Sequence, residues 1–177
     1  MSNTLAERFQ DRYRVPPTHL ARAPGRVNRI GEHVDYAGLP VFPMALQRDV
    51  KFALRPREDA IVLAATSDAA YSPCRFEVGK SIEPFPDGDW GNYLKAAVQG
   101  MAAAHGLERG FDAVIHSTVP VAAGLSSSSA LVIATALAAA DANGLETDPI
   151  ELAELMAAAE QYVGTRGGGM DQAISAG

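Results

Sequence analysis

The feature that most constrains this chain is residues 119–140, VPVAAGLSSSSALVIATALAAA, in which Ser126, Ser127, Ser128 and Ser129 stand between a glycine-bearing turn and a long apolar run. The run predicts a helix over Ser128–Ala142, ended by Asn143-Gly144. It falls well short of the ~20 apolar residues that a membrane span needs. One N-cap serine would satisfy an orphan backbone N–H, but the other three add nothing to helix propensity. Capping explains one serine, not four.

A serine-rich turn entering a helix gathers backbone N–H groups at the positive end of a helix dipole, which suits a phosphate. Small residues let the backbone approach the anion, and hydroxyls can reach phosphate oxygens or a magnesium ion. A plain capping loop also accounts for the pattern at this point. The chain has no G-x-x-x-x-G-K-[ST], no G-x-G-x-x-G and no G-x-S-x-G, so the P-loop, Rossmann and hydrolase routes are closed.

Around this segment the pattern is that of an α+β domain. Leu5, Phe9 and Tyr13 recur at helical spacing before Pro16-Pro17. Residues 50–66 alternate as two adjacent strands about a charged turn at Arg57-Glu58-Asp59, and Arg75–Val78 adds another. A helix is expected over Trp90–His105 with Asp89 as N-cap and Gly106 at C′, then a strand over Phe111–Thr118. Asp148-Pro149-Ile150-Glu151 opens a last helix to about Val163, next to Gly164. The sequence then ends at Gly177 in small residues, as a chain cut rather than finished, with no terminal helix expected.

Two further clusters carry chemistry. APGRVNRIGEHVDYAG, residues 23–38, holds Arg26, Asn28, Glu32, His33 and Asp35 between glycines. Carboxylates accept paired hydrogen bonds from neighbouring hydroxyls, so a polyol would suit it, and a solvated polar turn suits it equally. GGGMDQ, residues 167–172, sets Asp171 behind three glycines, with Glu160 earlier near a helix end. A phosphorylated hydroxyl needs an acidic partner such as Asp171, and magnesium needs one or two protein oxygens. Glu160 taken alone reads as a surface helix residue.

GRVNRIGEHVDY, PVAAGLSSSSA and GGGMDQ together, in this order, resemble the GHMP kinase superfamily, nearest its galactokinase members. The likeness extends to ERF near the start and to DWGNYLKAAVQG, and so spans nearly the whole chain. It implies the GHMP kinase N-terminal domain over residues 1–177, of ribosomal protein S5 domain 2-like type, without the family's C-terminal domain. It also implies ATP and Mg2+ as cofactors and phosphorylation of a sugar's anomeric hydroxyl, with galactose foremost. On the matching positions, Glu32, His33, Val34, Asp35 and Gly168 would hold the sugar. Arg26 would lie between sugar and γ-phosphate, and Asp171 would face the attacking hydroxyl. Gly124, Leu125, Ser126, Ser127 and Ser128 would wrap the phosphates, with Ser67 and Trp90 toward the nucleotide, and Ser128 and Glu160 would take the metal.

The chain departs from the family at several points. Arg29 occupies a usually aliphatic position, Gly167 replaces a common cysteine, and Ser129 stands where alanine is usual. Ala159 takes the place of the expected galactokinase metal ligand, and the spacing of Glu160 suits mevalonate-kinase-like members instead. A kinase for arabinose, galacturonate or another sugar, or a non-catalytic sugar sensor, therefore stands beside galactose phosphorylation. A chain without the C-terminal half is expected to be inactive alone. The formal charge of -6 argues against a general nucleic-acid or anionic-membrane surface. One cysteine and no apolar leader in MSNTLAERFQDRYRVPP fit a soluble protein of a reducing, cytoplasmic compartment.

Overall fold

The computed structural model describes residues 4–31, 34, 37, 39–164 and 168–177. Helix α1 (Leu5–Tyr13) is followed by strands β1 (His19–Asn28), β2 (Pro43–Pro56), β3 (Ile61–Thr66) and β4 (Cys74–Glu77). Helix α2 (Gly91–His105), strand β5 (Phe111–Ser117) and helices α3 (Ser127–Asn143), α4 (Pro149–Ala159) and α5 (Met170–Ala176) complete it.

The strands form one sheet in the order β1-β2-β5-β3-β4, antiparallel except where β3 runs parallel to β5. Residues 50–66 are thus consecutive strands but not neighbours, a correction to the sequence reading. Arg57 explains the separation: after β2 its N–H donates to the Gly110 carbonyl and its guanidinium pairs with Asp59 and Asp112, so β5 is drawn in beside β2.

Alternation along β2 divides the layers. Phe52 and Leu54 join the main core under α2 and α3, while Ala53 and Val114 face Phe9 of α1 on the other side. Helix α3 is buried on nearly every face between Ser129 and Ala142, so it runs through the centre of the domain. Its alanines let neighbouring elements approach closely, and the buried hydroxyl of Thr135, midway along it, donates to the Leu131 carbonyl at 2.7 Å.

Three boundaries differ from expectation. Trp90, not Asp89, occupies the α2 N-cap position, although Asp89 Oδ1 still accepts the Gly91 N–H at 2.8 Å. Helix α4 stops at Ala159 and tightens into a 3-10 turn, Glu160–Val163, before left-handed Gly164. A terminal helix, α5, does form. Gly169 has φ +86°, a conformation open to glycine, and turns the chain so that Met170, Gln172 and Ser175 pack inward.

Candidate active site

Strand β1, which carries the first site group, was not foreseen: residues 23–38 read equally as a polyol site or a solvated polar turn. In the structure the Pro24-Gly25 pair makes a register shift between Pro24 and Arg26. A Cβ on Gly25 would stand 2.9 Å from the Leu125 carbonyl oxygen, so glycine is what lets β1 lie against the serine loop. Arg26 N–H then donates to that carbonyl at 3.1 Å.

The three segments meet at Arg26. Its Nε donates to Asp171 Oδ1 at 2.7 Å, its Nη2 to Asp171 Oδ2 at 3.0 Å and its Nη1 to the Gly124 carbonyl at 2.7 Å. The hydroxyl of Ser126 donates to Asp171 Oδ2. Arg26 is 8% exposed, whereas the Asp171 side chain keeps 26% of its surface. A fixed cation thus backs a carboxylate that solvent can reach.

The loop between β5 and α3 is held in an uncommon backbone. Ala122, Gly124 and Ser126 have φ of 56°, 70° and 52°. For alanine and serine the left-handed region costs roughly 1–2 kcal/mol each. Ser126 is the N-cap of α3 but makes no capping hydrogen bond, since its hydroxyl is turned to Asp171. Capping therefore accounts for none of the four serines.

Ser127 and Ser128 line a cavity of about 430 Å³ with Tyr71, Trp90, Tyr93 and Leu131. Trp90 Nε1 donates to the Ser72 carbonyl at 2.9 Å, which fixes the indole, and Tyr71 meets it edge-on with centroids 6.5 Å apart. Ser67 is not among the lining residues. Thr66 is, while the Ser67 hydroxyl lies 2.7 Å from His116 Nδ1. A second, open groove of about 670 Å³ brings Gly168 and Gly169 beside Leu39 and Val41, joining the ends of the first and third segments. The carbonyl of Val34 accepts from the N–H groups of Ala37 and Leu39. Glu32, His33 and Asp35 lie outside the described residues. Arg29 is exposed, and its N–H donates to the Phe42 carbonyl.

Glu160 is not a surface residue: it is 2% exposed. It continues the buried face of α4, one turn beyond Met156 and two beyond Leu152, at the point where the helix tightens into the 3-10 turn. Burial pushes its carboxyl above the ordinary glutamate value, hydrogen bonding from Ser129 and Gln172 opposes that push, and the charge of Asp171 adds to it. Its Oε1 is buried without a hydrogen-bond partner. Such an oxygen suits a cation brought in with a ligand. Among the described residues no group of three or more His, Cys, Asp or Glu could hold a metal alone, so ligand oxygens would have to complete the shell. Both polar atoms of the Asn28 amide, two residues beyond Arg26 on β1, are likewise buried and unpaired.

Residues 92–177 match the family described as GHMP kinases N terminal domain, and residues 7–56 match the one described as Galactokinase galactose-binding signature. The chain carries a GHMP kinase N-terminal domain.

This GHMP kinase domain is 40% identical over 175 residues to the galactokinase of Chloroflexus aurantiacus, covering 98% of the chain and 44% of that protein. To the galactokinase of Saccharomyces cerevisiae it is 33% identical over 194 residues, covering 97% of the chain and 36% of that protein. The crystal structure of Lactococcus lactis galactokinase complexed with galactose superposes with a TM-score of 0.86 at 28% identity, over 96% of this chain and 45% of that one. A mevalonate kinase crystal structure shares the fold, with a TM-score of 0.78 at 21% identity, over 90% of this chain and 51% of that one. The chain thus spans less than half the length of these galactokinases.

Several site residues of the GHMP kinase domain escaped the sequence. Tyr93 sits one helical turn after Trp90, a spacing that could have marked it as a second cavity aromatic. Tyr71 and Gln172 carried no such signal.

Proposed function

We propose that the chain is the N-terminal part, residues 1–177, of a two-domain, ATP-dependent sugar kinase that phosphorylates the anomeric hydroxyl of galactose. The reading is carried by one observation: Arg26, Ser126 and Asp171, from three separated segments, meet in a single hydrogen-bonded cluster. The galactokinase likeness of residues 7–56 supports the choice of sugar. Glu32, His33, Val34, Asp35 and Gly168 would hold its hydroxyls.

In this reading the cavity between α2 and α3 takes the adenine nucleotide, with Trp90 and Tyr93 against the base, and Ser67 beside its edge. Gly124, Ser126, Ser127 and Ser128 present small side chains, and residues Gly124 to Ser128 present backbone N–H groups, to the phosphates at the start of α3. Asp171 accepts a hydrogen bond from the anomeric hydroxyl and then its proton. The oxygen so freed bonds to the γ-phosphorus while the bond to the bridging β,γ-oxygen breaks, and ADP leaves. Arg26 stands where negative charge grows and keeps Asp171 aimed; positioning and charge stabilisation supply most of the rate. Ser128 and Glu160 would hold Mg2+, which neutralises phosphate charge when bound. The protein is assigned to the cytoplasm; among the described residues no helix is long and apolar enough to cross a membrane.

A second reading rests on Arg29, whose exposed guanidinium would suit the carboxylate of a uronic acid such as galacturonate. An ADP-release assay over galactose, arabinose and galacturonate, on a protein of full galactokinase length, separates the two. The highest kcat/KM is expected with galactose. Preference for galacturonate, abolished by Arg29→Leu, would favour the second, and tight sugar and nucleotide binding without ADP release would favour a sensor. The 177-residue chain alone is expected to turn over far more slowly; equal rates would refute the need for a second domain.

A further inference from the structure

Ser129 is 2% exposed, Glu160 2% and Gln172 5%, and they come from three elements: the first turn of α3, the 3-10 turn after α4, and the first turn of α5. Gln172 Nε2 donates to Ser129 Oγ at 3.3 Å, and both side chains lie close enough to the Glu160 carboxyl to favour its charged form. Each directly follows a group of the proposed site in the chain, Ser129 after Ser128 and Gln172 after Asp171. Successive helical residues point about 100° apart. Ser128 can therefore line the cavity while Ser129 is buried beneath it.

An apolar residue at 129 would fill this buried place with nothing to satisfy. The hydroxyl instead meets an acid whose Oε1 has no partner. A buried polar cluster that is only partly satisfied calls for a missing member.

Resting on the phosphotransfer reading above, we propose that Ser129 and Gln172 are positioning residues that orient the Glu160 carboxylate so that Oε1 meets a divalent cation arriving with the nucleotide. The fourth serine thus serves the metal from behind. Neither side chain touches the cation; each acts through Glu160, as partners of metal-binding carboxylates do.

The test uses Mn2+ as probe, read by the loss of its free EPR signal on titration into the 177-residue chain with ADP, beside ADP binding in EDTA. Ser129→Ala should weaken Mn2+ about tenfold and leave metal-free ADP affinity within about twofold, and Ser129→Thr should restore the metal. Gln172→Met should repeat the metal-selective loss, which keeps the test open if Ser129→Ala folds poorly. Unchanged Mn2+ affinity in Ser129→Ala, or equal losses of Mn2+ and metal-free ADP, would overturn the proposal. So would a wild-type chain that binds ADP with no preference for added Mn2+. A wild-type chain that binds no ADP at all would count against the nucleotide reading itself, and the proposal would fall with it.

Discussion

Arg26 and Asp171 are 145 positions apart in sequence, and their pairing ties β1 to α5. The coupling between them can be isolated by a double-mutant cycle with Arg26→Met and Asp171→Asn. Two charge-assisted hydrogen bonds, at 2.7 and 3.0 Å, join them, while the bond from Arg26 to Gly124 is lost in both the single and the double variant and so cancels. An exposed ion pair yields at most about 1 kcal/mol. Burial of Arg26 raises the value and the partial exposure of Asp171 limits it, so a coupling of about 2 kcal/mol is expected. Arg26→Met alone should cost more, roughly 3 kcal/mol, because it also strands a carboxylate and a loop carbonyl. Urea unfolding at neutral pH gives all four stabilities, and repetition in high salt should leave most of the coupling in place, as screening weakens exposed pairs first. A coupling below about 0.5 kcal/mol would refute the view that this pair is held as a fixed, partly buried unit.

Three smaller predictions follow from single residues. Ala122→Gly should relieve the left-handed backbone at φ 56° and raise stability by up to about 1 kcal/mol in urea unfolding, net of the flexibility glycine adds to the unfolded chain. Because the folded Glu160 carboxyl titrates above its ordinary 4.5, the metal-free folded chain keeps that proton after the unfolded chain has lost it. Its contribution is therefore full below 4.5 and is lost as pH rises through the folded value. Glu160→Gln should remove that slope from stability measured between pH 4 and pH 8 (about the range where carboxylates and then neutral pH are covered), and an unchanged slope would sink the assignment. Burial, with Asp89 adding, pushes the Cys74 thiol up to about 12, so a thiol reagent at mildly alkaline pH should label it only as fast as the chain unfolds.

Elements set by local chemistry were legible in the sequence. The opening helix, the Asp148-Pro149 start of α4 and the glycine stops after α2 and α3 all stand where capping residues and apolar spacing put them. Strand β1 was not, because Pro24-Gly25 and the polar Arg26 and Asn28 break the apolar alternation that marks a strand. The insertion of β5 between β2 and β3 depends on contacts distant in sequence and leaves no local mark. Glu160 was misread for a different reason: it stands at i+4 from Met156 and i+8 from Leu152, on the buried face of α4, and its charge alone made it read as a surface residue. Of the four serines, sequence set three with the nucleotide and left the fourth apart, but carried no mark of the bond by which the Ser126 hydroxyl reaches Asp171.

The most direct test of the site is 31P NMR of ATP with galactose, catalysed by a protein of full galactokinase length carrying this domain and compared with its Asp171→Asn variant. A sugar 1-phosphate resonance growing with ADP, and lost in the variant while nucleotide still binds, is the expected result. Undiminished sugar 1-phosphate from Asp171→Asn, or ADP and free phosphate with no sugar ester, would contradict a phosphotransfer site built on Arg26, the serine loop and Asp171.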